Sequence, residues 1–237
     1  MKYRSLYFIS AILIIVSANV NANAQSFAKG SLLFSLSEGT THSTYVTGNL
    51  GNESDGFHAH IAGERDPLVL EYGITNKIGI GLTMGGDIYS LKDNDAYNFI
   101  SSTGTLKSVT SEMTFDINYH FFNNKHFDIS AFVATGSTSV TIKDMKVATP
   151  AGDYVALESL RPASDYTQKY FAAGQIMRTG IKVRYYPLKH FGLVYMLSAF
   201  SANNTPSDQA VNSSVSTYYT SIKGITSEFG LCFRFLK

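Results

Sequence analysis

Residues 67–91 read PLVLEYGITNKIGIGLTMGGDIYSL, and the stretch alternates at every second position. Leu68, Leu70, Tyr72 and Ile74 share one face, with Val69, Glu71, Gly73 and Thr75 on the other. After the polar pair Asn76-Lys77 the pattern restarts: Ile78, Ile80, Leu82, Met84 and Ile88 lie opposite Gly79, Gly81, Thr83, Gly85, Asp87 and Tyr89. A period of two held over this length, broken by a short Asn-containing turn, predicts two long antiparallel strands in a hairpin. The polar face is mostly Gly and Thr with one carboxylate per strand, whereas a water-facing sheet carries many Lys and Glu. Such a chain can fold only as a sheet with one apolar face and one narrow polar face.

The same pattern recurs along the chain. Residues 30–37 open with Leu32, Phe34 and Leu36 on one face. In residues 108–122, Val109, Met113, Phe115, Ile117, Tyr119 and Phe121 alternate with Thr110, Glu112, Thr114, Asp116, Asn118 and His120. Residues 127–143 return after Asn123-Asn124-Lys125. Their apolar set shifts near Thr138 to Val140 and Ile142, which predicts a bulge there. Residues 176–188 and 191–202 flank Lys189-His190, and 224–237 close the chain. Three connections are short, and four stretches (38–66, 92–107, 145–175 and 203–223) read as long polar loops. The prediction is an all-β fold, an eight-stranded antiparallel up-and-down transmembrane β-barrel of strands about 9–14 residues long. A ten-stranded version follows if 43–47 and 57–62 pair as an extra hairpin.

The bulk numbers fit. The 237 residues carry a net charge of +1, which gives no bias toward nucleic acid. Charged residues make up 16% of the chain and aromatics 13%, without Trp. A mean hydropathy of −0.01 hides a barrel, because alternation dilutes its lipid-facing residues. Lys2 and Arg4, the apolar run from Leu6 to Val16 and Ala22-Asn23-Ala24 read as a secretory signal over 1–24, leaving 25–237 as the barrel domain. The single Cys232 excludes an internal disulfide framework and reads as a small interior residue.

Alternation alone fits both a soluble barrel with an apolar interior and a membrane barrel with an apolar exterior. The secretory signal, the asymmetry of short turns and long loops, and the Gly and Thr on the polar face favour the second. Its interior would then carry a charge network of Glu71, Asp87, Glu112, Asp116, Arg178, Lys182, Arg184, Glu228 and Arg234, with Asp128 on the same face. Paired and hydrogen-bonded, such charges are tolerable away from water. Tyr72, Tyr119, Phe121, Phe122, Tyr185, Tyr186 and Phe191 lie near the short turns, where an interfacial girdle is expected.

With these residues in view, the chain resembles the small outer-membrane β-barrels of the OmpA-transmembrane-domain, OmpX and OmpW type. The most specific piece is the last strand, where Phe229, Leu231, Phe233 and Phe235 look like a C-terminal assembly signal; Leu236-Lys237 follow the last aromatic. The resemblance implies a Gram-negative outer-membrane location after signal cleavage, with termini and short turns in the periplasm. It implies contact with outer-membrane lipid and lipopolysaccharide. During biogenesis it implies the barrel-assembly machinery and periplasmic chaperones. A monomer without a cofactor is expected.

Two other activities are weighed on particular residues. A lipid A-modifying enzyme would draw a Ser, a His and a carboxylate from His42-Ser43, His58-Ala59-His60 and Glu64, but no spacing matches a motif. His42, His58 and His60 could hold a metal, though solvated loop histidines are the simpler reading. His120 reads as a hydrogen-bonded interior residue, and His126 and His190 as turn residues. An OmpW-like or porin-like narrow channel is the remaining alternative, against which Arg178, Lys182, Arg184, Glu112, Asp116 and Tyr186 would fill the bore. The leading expectation is a structural, adhesive or surface-interaction protein that acts through long extracellular loops, with no catalytic residues.

Overall fold

Strands that are apolar on one face and carry small residues on the other satisfy every backbone group only by closing on themselves. The computed structural model shows this closure. It describes residues 26–49, 52–91, 106–143, 146–148, 154–156, 170–206 and 218–235. The expected signal at 1–24 lies outside the described residues. The strands are β1 (Leu32–Asn49), β2 (Asn52–Arg65), β3 (Leu68–Gly73), β4 (Ile78–Gly85), β5 (Asp87–Leu91), β6 (Leu106–Asn123) and β7 (Phe127–Lys143). A short hairpin, β8 (Lys146–Ala148) and β9 (Tyr154–Ala156), forms a sheet of its own. The chain then runs through β10 (Tyr170–Tyr185), β11 (Phe191–Pro206) and β12 (Tyr218–Phe235).

Around the barrel the order is β12-β11-β10-β7-β6-β4-β3-β1, and β1 closes on β12. That seam is antiparallel and runs from Leu32 opposite Phe235 to Asn49 opposite Tyr218. β2 extends the line of β3 along β1, and β5 extends β4 along β6, so the wall has eight staves. Asp66-Pro67 separates β2 from β3, because Pro67 has no N–H to give the ladder, and Gly86 separates β4 from β5. The connections at 74–77, 124–126 and 186–190 all lie at one end, together with residues 26–31 and the end of β12. This is called the turn end below, and the opposite end the loop end.

Leu32, Leu36, Leu70, Ile80, Met84, Ile88, Phe115, Ile117, Val133, Ile181, Leu197, Phe229 and Phe235 are exposed around the outer wall. An apolar exterior on a closed sheet with a charged interior is the pattern of a membrane-spanning barrel. Tyr72, Tyr119, Phe121, Phe122 and Tyr185 are also exposed, toward the turn end, as a girdle requires. Tyr186, expected both in that girdle and among the side chains filling the bore, takes the second place, buried at 1% exposure: alternation sends it inward beside Val194 and Cys232.

Other expectations need correction. Residues 38–66 are not a loop: most of them belong to β1 and β2, which pair from Gly39 opposite Arg65 to Thr47 opposite Phe57. Residues 43–47 and 57–62 do pair, as expected of an extra hairpin, but they lengthen two existing staves and add none. The stretches read as loops at 145–175 and 203–223 also lose ground to strand, since β8, β9, β10, β11 and β12 reach into them. No bulge occurs near Thr138, where β7 stays in register with both neighbours; the shift lies between His120 and Phe122. There Phe121 and Phe122 are both exposed.

One cause explains the misread loop and the misplaced bulge. Toward the loop end the two faces exchange chemistry without a change of register. Inward-facing Ile61, Val140, Ile176, Phe200, Ala202 and Ile222 are buried, whereas outward-facing Ser137, Gln175, Asn203, Thr205 and Lys223 are exposed. The strands continue past the apolar belt into water, where an ordinary inside-apolar rule takes over.

Candidate functional site: the barrel interior and its turn-end strap

Narrowness decides what the bore can contain. Eight staves leave an interior that side chains fill, and inward positions here alternate small residues with long charged ones. The charges fall into three tiers.

Nearest the turn end, Glu71 (β3), His120 (β6), Asp128 (β7) and Arg184 (β10) form a closed ring. His120 Nε2 lies 2.7 Å from Glu71 Oε1, and Nδ1 lies 2.7 Å from Asp128 Oδ1. Arg184 Nη1 donates to Asp128 Oδ2 at 2.8 Å and Nη2 to Glu71 Oε2 at 2.5 Å. Each carboxylate thus takes one bond from the imidazole and one from the guanidinium, and both imidazole nitrogens serve as donors.

In the middle tier, Asp116 accepts from Lys182 Nζ at 3.2 Å and from Thr83 Oγ1 at 2.7 Å. Lys182 Nζ also donates to Asn118 Oδ1 at 2.8 Å and sits 4.5 Å from the centre of the Phe132 ring.

The third tier centres on Arg65 (β2). Its Nε donates to Glu228 Oε1 at 2.8 Å, its Nη1 lies 3.4 Å from Asp87 Oδ2, and its Nη2 donates to Glu112. The second oxygen of Glu112 accepts from Arg178 Nη2 at 2.8 Å. Arg178 Nη1 donates to Ser198 Oγ and Thr226 Oγ1, and its guanidinium lies 4.6 Å from the Phe200 ring centre. Thr41 donates to Asp87 at 2.5 Å, and Ser37 to Glu228 at 3.2 Å. Arg65 and Glu228 side chains are fully buried. Buried ions are kept only when paired and hydrogen-bonded, and each charge in the tiers has an ion-pair partner, although the Nε groups of Arg178 and Arg184 make no hydrogen bond.

The residues read from sequence as an interior network are therefore inward and buried, all but one of them in these tiers. Arg234 lies elsewhere, at the turn end: its guanidinium donates to the Lys189 carbonyl at 2.6 Å and stacks 4.4 Å from the Tyr186 ring centre. Sequence reasoning missed Arg65, the centre of the third tier, because it falls inside the supposed loop. A signal was present: Arg65 is two positions from Gly63 and Pro67 on the inward face of the stave that carries Glu71. Phe229, Leu231, Phe233 and Phe235 of β12 face outward, Phe229 and Phe235 strongly exposed.

Also unanticipated is a strap across the turn-end mouth. Ser26 and Phe27 are fully buried. Phe27 stacks on His120 with ring centres 3.5 Å apart and planes 8° from parallel, which covers the first tier. The Asn123 amide holds the strap on both sides, accepting from Ser26 Oγ at 2.7 Å and Phe27 N at 2.9 Å while donating to the Phe27 carbonyl at 2.5 Å. Ser26 N donates to the Asn124 carbonyl, and Gly30 N to the Gly73 carbonyl. Gly30 turns the chain into β1 with φ of 83°, a conformation costly for a residue with a Cβ. Gly73 leaves room for the Ala28 carbonyl, where a Cβ would collide.

The histidines weighed for metal or catalysis are dispersed. His42 and His60 are exposed on the outer wall, the side chain of His58 lies outside the described residues, and His126 and His190 cap turns by bonding the carbonyls of Tyr186 and Arg234. Among the described residues no group of His, Cys, Asp or Glu has the geometry of a metal site.

No protein-family model and no curated protein matches the chain. Solved structures similar to it are outer-membrane barrels. The outer membrane protein OprG from Pseudomonas aeruginosa aligns at 12% identity and a TM-score of 0.49, over 89% of this chain and 98% of that one. A major outer membrane protein from Thermus thermophilus aligns at 12% identity and a TM-score of 0.46, over 86% and 99%. Ail, the attachment invasion locus protein of Yersinia pestis, aligns at 12% identity and a TM-score of 0.41, over 87% and 99%. These are likenesses of chain path, and nothing about the interior tiers or the strap follows from them.

Proposed function

We propose that this protein is a sealed outer-membrane barrel, with its turn end in the periplasm, that presents a surface at the cell exterior and neither conducts nor catalyses. The observation that carries the reading is Arg65: one guanidinium bonds carboxylates from β5, β6 and β12, drawing opposite walls of the bore together. With the tiers below it and Phe27 beneath them, buried side chains occupy the bore from the third tier to the turn-end mouth. The strands that rise beyond the apolar belt form a paired stalk at the loop end. The stalk supports a structural or adhesive role exercised at that end, with lipopolysaccharide as the surrounding lipid. Delivery would proceed through periplasmic chaperones and the barrel-assembly machinery, with the outward aromatics of β12 as the recognised strand. The protein acts as a monomer, with no nucleic acid and no cofactor among its partners.

Single-channel recording on the purified barrel in planar bilayers tests the sealed interior. The expected result is no resolved ion conductance in the intact protein, with steps appearing on Glu112→Ala or Arg184→Ala. Steady channels in the intact protein would establish the porin-like alternative. Unchanged lipid A mass on expression is expected as well, and an altered mass would favour the lipid A-modifying alternative.

A further inference from the structure

The exposed charge of the turn end is of one sign. Beside the end of β12, this end consists of the strap at 26–31 and the connections at 73–78, 121–127 and 185–191. Each of these segments holds one lysine, Lys29, Lys77, Lys125 or Lys189, and none contains Asp or Glu. Lys29, Lys77 and Lys125 are exposed, and Lys189 is half-buried. The nearest carboxylates above them, Glu71 and Asp128, turn inward and are fully buried in the ring with His120 and Arg184. The first tier balances its own charge, so nothing in it offsets the lysines.

Hydrogen bonds tie the segments into one floor. Lys29 N donates to Asn76 Oδ1 at 3.0 Å, and Ser26 N to the Asn124 carbonyl at 2.8 Å. The His126 imidazole donates to the Tyr186 carbonyl at 3.0 Å, and that of His190 to the Arg234 carbonyl at 2.8 Å. The strap enters β1 beside β12, and the three connections join β3 to β4, β6 to β7 and β10 to β11. The lysines are therefore spread around the end, one to every two staves.

That spacing selects the occupant. An exposed ammonium–carboxylate pair contributes little by itself, so separated lysines do not hold a small anion. A polymer that repeats its carboxylates can meet several of them, each further contact being intramolecular. Bilayer headgroups border only the rim, whereas Lys29 stands on the strap that crosses the mouth. The lysines thus face along the barrel axis, away from the membrane. The polyanion that lies below an outer membrane is the cell-wall mesh, whose peptide stems carry free carboxylates.

We propose that the turn-end floor docks on the carboxylates of peptidoglycan through Lys29, Lys77, Lys125 and Lys189. The inference rests on the reading that the turn end lies in the periplasm.

The test is co-sedimentation of the full-length mature barrel, in neutral detergent, with purified sacculi stripped of protein. Retention is expected, and it should be lost in about 1 M salt, where the screening length falls to roughly 3 Å. It should also be lost on sacculi whose carboxylates have been converted to amides. Lys29→Gln, Lys77→Gln, Lys125→Gln and Lys189→Gln should each lower retention about two- to fivefold, and all four together at least about twentyfold. Arginine at all four positions should preserve it, and Lys223→Gln, at the opposite end, should change nothing. Equal retention on amidated sacculi would overturn the proposal, as would a fourfold glutamine variant that sediments like the parent. So would retention by barrels in phosphatidylcholine nanodiscs that disappears when phosphatidylglycerol is included, because the lysines would then lie on lipid. A gel-mobility shift on boiling confirms that each variant barrel is closed. Labelling Lys77→Cys on intact cells with an impermeant maleimide separates this inference from the orientation beneath it. A cysteine labelled from outside defeats the orientation, whereas a protected cysteine in a barrel that sacculi do not retain defeats this inference alone.

Discussion

At the scale of single residues, Arg65 and His120 are the side chains on which the interior depends. Removing Arg65 leaves Asp87, Glu112 and Glu228 facing one another without their shared cation. A buried carboxylate that loses its partner is far more costly than a pair replaced whole. Arg65→Ala is therefore expected to destabilise the barrel by about 3–5 kcal/mol. This would be read as a lower temperature for conversion of the compact gel band to the extended one. Arg65→Lys should recover only part of the loss, since a single ammonium cannot reach three carboxylates in fork geometry. A variant as heat-stable as the parent would mean that the tier is solvated. His120 differs because its two partners flank it on opposite sides. His120→Gln keeps hydrogen-bonding capacity but neither the charge nor the flat surface beneath Phe27, so it should lower stability and loosen the strap together. Arg65 and His120 also separate what was legible from what was not. The position of His120 on a regular alternating strand identified it as interior from sequence. Arg65 was hidden because its strand had already left the belt, where polar residues on both faces look like loop.

At the scale of elements, the strap and the long strands obey different rules. Residues 26–30 contain no repeating pattern; they are held by the Asn123 side chain and by the space that Gly73 leaves, and such tertiary contacts leave no periodic trace. If the strap seals the turn-end mouth, Cys232, which is fully buried and inward near that end, is shielded from reagents entering there. Phe27→Ala is expected to raise the rate of Cys232 modification by a small maleimide at least tenfold, in line with the loss of one stacked aromatic pair worth roughly 0.5–1.5 kcal/mol together with its burial. Gly73→Val should have the same effect without touching Phe27, because its Cβ displaces the Ala28 carbonyl. Modification rates equal to the parent's in both variants would show that the mouth is closed by something else. The long strands, in contrast, were legible wherever lipid dictates one face. They were misread beyond Leu36 and Leu68, where the apolar residues change sides. The shift near Thr138 was real as chemistry and absent as geometry: Val140 is inward because water lies outside, and the pairing with β10 never slips.

At the scale of the whole molecule, stability and closure cannot be separated. β12 is the last strand in sequence, yet it supplies the partner of β1 along the entire length of that strand. Until β12 arrives, β1 presents an open edge of unpaired amides and carbonyls, which lipid does not tolerate. The ion tiers are incomplete as well, because Glu228 comes from β12 and Arg65 from β2. Folding should therefore be all-or-none, with no barrel lacking its final stave. The intact protein is expected to migrate as a compact species in unboiled detergent samples and to shift on boiling. A chain ended after Gly230 keeps only part of the seam, because the pairings of Leu32, Phe34 and Leu36 with Phe235, Phe233 and Leu231 are gone. It should give no heat-shifting band at any temperature, even though most of its hairpins could still form. Phe233→Ser tests the same seam without shortening it. If the outward aromatics of β12 serve chiefly in recognition during assembly, this variant should accumulate less in the outer membrane. Refolded from urea into detergent, it should still shift on boiling at nearly the parent's temperature. A shift temperature that falls as steeply as the membrane yield would place the role of these aromatics in the finished barrel.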